Sequence, residues 1–151
     1  MKKFISENIV YILLIILFSL VVIFCGRIIV KEFKTEKNQN NLTELSDRIR
    51  CAESFGWEVD KASETKTSHY ITSEMNDEFL HYNEMQKSCG FDLTPYMGKG
   101  VTVYTYRILN FPHSAPVNAY LNLITYNDRM IGGDCVVDEF DDLYLSVCYQ
   151  R

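Results

Sequence analysis

The spacing of hydrophobic positions changes along this chain, and each change marks an element. From Ile9 to Cys25 the run is apolar and holds no charge; Gly26 extends it, and Ile28 to Val30 resume it after Arg27. A helix rises about 1.5 Å per residue, so roughly 20 such residues cross a hydrocarbon layer of about 30 Å. Residues 9–30 are therefore read as a transmembrane helix whose partner is membrane lipid, preceded by a short tail, residues 1–8. A buried core helix rarely carries an apolar stripe on every face. A signal peptide would end a shorter apolar region at a small-x-small cleavage site, and Phe24-Cys25-Gly26 is a poor one because Phe24 is bulky.

Residues 31–41 form a polar stalk, and an acidic domain follows over 42–151. Leu42, Leu45, Ile49 and Ala52 step by three and four, which predicts a helix over about Leu42–Phe55 with Gly56 as its stop. Trp57-Glu58-Val59 alternates as a short strand, and a polar loop leads to Tyr70-Ile71. Ser73 is the expected N-cap of a second helix that shows Met75, Phe79, Tyr82 and Cys89 on one side and ends at Gly90. From Val101 the period becomes two. Val101 and Val103 oppose Tyr104, Tyr106 and Ile108; in Val117–Tyr126, Ala119, Leu121 and Leu123 oppose Tyr120, Ile124 and Tyr126. Further strands are expected over Met130–Val137, after Asn127-Asp128, and over Leu143–Tyr149. The plan is α+β: two helices packed on one face of a mainly antiparallel sheet of four to five strands.

Charge narrows the class of partner. From Asn38 onward there are 17 Asp and Glu against 9 Lys and Arg, a net charge of −8, which repels a phosphate backbone and excludes nucleic acid. Orientation signals conflict. Arg27, Lys31, Lys34 and Lys37 after the span outnumber Lys2 and Lys3 before it, and the positive-inside rule would keep the domain in the cytoplasm. The Met-Lys-Lys start and the cysteines argue for the outside, which is the expectation adopted. With Cys25 in the span, Cys51, Cys89, Cys135 and Cys148 are even in number. A hairpin centred on Asp141-Asp142 sets Cys135 opposite Cys148, within disulfide reach, and leaves Cys51 to pair with Cys89.

Phe55-Gly56-Trp57-Glu58-Val59, Tyr82-Asn83-Glu84-Met85-Gln86-Lys87, Gly90-Phe91-Asp92-Leu93, Tyr96 with Gly98-Lys99, Tyr104-Thr105-Tyr106 and Ile131-Gly132-Gly133-Asp134 occur in that order. This ordered set resembles the bacterial family designated domain of unknown function 4830. The resemblance implies a short membrane-anchored protein and brings no activity.

Candidate chemistry is sparse. Asp134 beside two glycines, and Asp92 after Gly90, are the carboxylates from which an envelope enzyme would be built. Set against this, the glycine pair fits a strand bulge, and Asp92 fits the cap of the next turn. Asp138, Glu139, Asp141 and Asp142 lack the spacing of a calcium loop and read as a solvated acidic turn. His69, His81 and His113 show no metal spacing, and neither a metal nor a cofactor is expected. Tyr104, Tyr106, Tyr120 and Tyr126 are expected to line the sheet face away from the helices, where they would dock a protein or envelope polymer. The reading is a membrane-anchored, extracytoplasmic, non-catalytic binding module. The alternatives are a carboxylate enzyme and an accessory subunit of a membrane complex.

Overall fold

The computed structural model describes residues 11–28, 41–112, 117–138 and 143–149. The chain divides into two units, Met1–Glu36 and Lys37–Arg151. In the first, Tyr11–Ile28 form helix α1, which is long and apolar enough to cross a membrane and exposes every side chain. Its one serine hydroxyl, Ser19 Oγ, donates back to the Ile15 carbonyl at 2.8 Å and is satisfied within the helix. The expected tail 1–8 and all of the stalk but Asn41 lie outside the described residues.

In the second unit, strands β1 (Thr65–Tyr70), β2 (Gly100–Arg107), β3 (Ala119–Tyr126), β4 (Arg129–Val137) and β5 (Leu143–Ser146) follow one another across a single antiparallel sheet. Helices α2 (Leu45–Ser54) and α3 (Asp77–Lys87) complete the α+β architecture expected from the periodicity. The two helices do not share a face, however. Pairing sets Tyr104 opposite Leu123 and Tyr106 opposite Leu121, so these four side chains point the same way. The alternate positions carry Val101, Val103 and Ile124, a second apolar surface. Both surfaces need cover. On one, Ile49 and Ala52 of α2 pack with Trp57, Tyr104, Tyr106 and Leu121. On the other, Phe79 of α3 packs with Leu93, Val101, Ile124 and Ile131.

The helix ends follow one rule. Gly56 (φ 94°) and Gly90 (φ 83°) adopt the left-handed conformation that stops α2 and α3. In each case the next residue's N–H returns to the helix, Trp57 to the Ala52 carbonyl at 3.2 Å and Phe91 to the Gln86 carbonyl at 3.1 Å. Each glycine thereby turns a large aromatic into the core, and both Trp57 and Phe91 are buried. The start of α3 differs from expectation. Asn76, not Ser73, caps it by accepting from Phe79 N at 2.8 Å, because Thr72 Oγ1 takes up Glu74 N in a local turn just upstream. Met75 is exposed, ahead of the helix's buried face.

Asn127 (φ 51°) and Asp128 (φ 59°) form the two-residue turn between β3 and β4, as expected; positive φ at both positions matches the twist of the flanking strands. The last hairpin corrects the expected register. Val137 pairs with Leu143 and Cys135 with Leu145, three residues away from the pairing that would face Cys135 with Cys148. That register directs Leu145 and Val147 into the α2-side core. The disulfide therefore joins Cys148 to Cys89, with Cα atoms 5.8 Å apart, while Cys51 and Cys135 are free and buried. Cys51 lies on the buried face of α2, where its thiol donates to Met130 Sδ at 3.4 Å, so neither expected bridge forms.

Candidate functional site

β1 comes from the stretch read as a polar loop: all six side chains are exposed, so no period marks it. Its pairing with β2 extends the sheet beyond the cover of α3, which packs against β4 and β5. The uncovered floor, α3 and the segment 70–72 enclose a groove of about 360 Å³. Val101, Val103 and Ile124 form its apolar floor, with Phe79 and Leu93 as a wall. Tyr70 and Tyr144, both well exposed, stand at the two ends, since β1 and β5 are the outer strands of the sheet.

One carboxylate reaches this groove. Asp134 lines it, although only 3% of the residue is exposed. Asn122 Nδ2 donates to Asp134 Oδ1 at 2.7 Å, and the Tyr82 hydroxyl donates to Oδ2. Thr105 Oγ1 in turn donates to Asn122 Oδ1 at 2.6 Å, which fixes the amide with its nitrogen towards the carboxylate. Burial pushes the Asp134 carboxyl above the usual carboxylate range, against the two bonds that favour its charge. Burial and then the neighbouring carboxylate push the Tyr82 hydroxyl above its ordinary value.

The adjacent glycines are packing sites. A Cβ on Gly133 would sit 2.6 Å from the Asn122 carbonyl oxygen, and one on Gly132 would sit 2.8 Å from Gln86 Oε1. Gln86 Oε1 accepts from Gly133 N at 2.9 Å, so Gly132 lets α3 approach β4 and bring Tyr82 to Asp134, while Gly133 leaves room on the other face for Met130 and Val147.

The other expected site residues disperse. Asp92 is exposed and caps its own turn, accepting from Thr94 N at 2.9 Å and Asn83 Nδ2 at 3.0 Å; the bonds to Thr94 and Asn83 hold its pKa at about 2. The expected tyrosine face does not exist as a unit. Tyr104 and Tyr106 are buried beneath α2, and Tyr120 and Tyr126 are half-buried on the α3 side. The cause is register: opposed residues share a face, and Tyr104 and Tyr106 oppose leucines. Both instead serve a part-buried ion pair. The Arg48 guanidinium donates from Nε and Nη2 to Glu64 at 2.9 Å, lies 4.2 Å from the Tyr104 ring centre, and bonds the Tyr106 hydroxyl at 3.0 Å. Among the described residues no group of three or more His, Cys, Asp or Glu side chains converges as a metal would require; Glu139, Asp141, Asp142 and His113 lie outside them.

The family model for domain of unknown function DUF4830 matches residues 52–135. The chain belongs to this family. No curated protein and no solved structure matches it. The DUF4830 segment contains α3, β1 to β3 and β4 as far as Cys135, and with them the Thr105, Asn122, Asp134 and Tyr82 network. Tyr144 and Cys148 lie beyond it. Sequence reasoning singled out Asp134 but missed Tyr82, Asn122 and Thr105 as its partners. The available signal was polar residues on successive strands, Thr105, Asn122 and Asp134, which the pairing sets opposite one another.

Proposed function

We propose that this DUF4830 protein is a single-pass membrane protein whose folded domain lies outside the cytoplasmic membrane and binds a small ligand without converting it. The observation that carries the reading is the groove on the α3 side, partly apolar, open at the surface and ending on one buried carboxylate. Few convergent polar groups in an apolar cleft are the ordinary form of a ligand site. Chemistry by a carboxylate pair is disfavoured, because Asp92 is committed to its own turn and does not line the groove. α1 supplies the membrane tether, and the Cys89–Cys148 bridge favours an oxidising compartment. The basic residues after the span pull the other way.

Thr67 is exposed on β1 and lines the groove, so Thr67→Trp fills it without touching the core. A screen of soluble organic fragments against the methyl signals of Val103, Ile124 and Leu93 should give hits that cluster on these residues and vanish in Thr67→Trp. Hits scattered over the surface, or indifferent to the tryptophan, would overturn the groove as the binding site.

A further inference from the structure

The register places Thr65, Thr105, Asn122, Asp134 and Ser146 opposite one another in turn, a polar row running across all five strands. The neighbouring row is Thr67, Val103, Ile124 and Gly132. The groove thus has an apolar floor and one polar flank. Each strand step is about 4.8 Å, so the floor from β1 to β4 spans roughly 14 Å, enough for a ring or short chain of carbon atoms.

The polar flank is directional. Thr105 donates to Asn122, Asn122 donates to Asp134, and Tyr82 donates to the same carboxylate from the other side. An ionised carboxylate offers about four acceptor sites. Two are taken, each by a neutral donor, and among the described residues no Lys, Arg or His forms an ion pair with Asp134. A buried carboxylate without a cation is costly, and none of the described residues supplies one. No Lys or Arg lines the groove, and its one imidazole, His69, is exposed on β1 at the far side from β4. The end of the groove presents acceptors and repels anions.

We propose that the groove takes a small organic amine whose ammonium seats on Asp134 and whose apolar body lies over Val103 and Ile124. The proposal rests on the groove being the binding site and adds the chemical class of what enters it. The ammonium supplies the missing positive charge and the donors for the two open acceptor sites. The tyrosines at the ends suit the same class, because a ring face attracts both cations and apolar groups. The net charge of −8 from Asn38 onward draws cations towards the domain.

The test uses the full chain in phosphatidylcholine nanodiscs, with empty nanodiscs as the blank. Phenethylamine, 2-phenylethanol and phenylacetate, which share a body and differ in head group, are titrated against the Val103 and Ile124 methyl signals. The amine should bind at least tenfold more tightly than the alcohol, and the acid should not bind. Asp134→Asn should bring the amine down to the affinity of the alcohol and leave the alcohol unchanged. If the acid binds as well as the amine, or the folded Asp134→Asn protein keeps the preference, the amine class is wrong while the groove stands. The ranking in the unaltered protein decides by itself should Asp134→Asn fail to fold. If none of the three probes moves these methyls, the groove reading falls together with the amine.

Discussion

Asp134 and Asp92 show how two carboxylates in one domain are driven in opposite directions. Asp92 is exposed and held by Thr94 and Asn83, which keep it ionised down to about pH 2 against an ordinary value of 3.8. Its contribution to stability is present above the unfolded value and is lost as pH falls from 3.8 towards 2. Asp134 is buried, and its folded pKa is raised above 3.8, so its contribution is complete below that value and is lost as pH rises through the folded pKa. Above its folded pKa the ionised Asp134 is therefore a cost to the fold. Asp134→Asn, with the Asn122 amide turned over to keep the hydrogen bonds, should stabilise the domain at pH 7 by roughly 1 kcal/mol, the usual size of a single stabilising substitution. At pH 3 the gain should disappear. Thermal unfolding of both proteins from pH 3 to 8 measures this, and a midpoint lower for Asp134→Asn at pH 7 than at pH 3, relative to the parent, would make Asp134 a structural residue.

At the scale of elements, the two sheet faces meet in the segment after β5. The Trp57 indole donates to the Val147 carbonyl at 2.7 Å, Phe55 at the end of α2 packs on Phe91 after α3 at 6.2 Å between ring centres, and Cys148 bonds Cys89. The bridge closes a loop with a sequence separation of 59, worth roughly 4 kcal/mol by chain entropy. Reduction should lower the unfolding midpoint by roughly 10–20 °C for a domain of this size. Cys135→Ala should keep this sensitivity to a dithiol and Cys148→Ala should lose it. Loss of the sensitivity in Cys135→Ala as well would instead restore the bridge between Cys135 and Cys148.

At the scale of the whole molecule, the proposed location of the folded domain outside the membrane is open to a labelling test. Ser68 is exposed on β1, and Cys51 and Cys135 are buried. In a Cys25→Ser background, Ser68→Cys should react with a membrane-impermeant maleimide on intact cells stripped of their wall. Labelling only after lysis would put the domain in the cytoplasm and remove the disulfide's support for an exported fold.

Much of this was legible from residue order alone. An apolar run without charge marks α1, because only lipid or a full core tolerates it; left-handed glycines stop α2 and α3; Asn127-Asp128 turns β3 into β4. These are local properties, set by solvent preference and backbone sterics within a few residues. The site was less legible. Asp134 stood out beside its glycines, but Tyr82 lies 52 residues away and Asn122 lies 12 away, on elements that only packing brings together. Strand β1 has no apolar period and exists through its pairing with β2. The choice between Cys89 and Cys135 as the partner of Cys148, and between an exposed and a buried Tyr106, turned on strand register. Register is decided by which side chains the two helices can cover at once, and no short stretch of sequence carries that information.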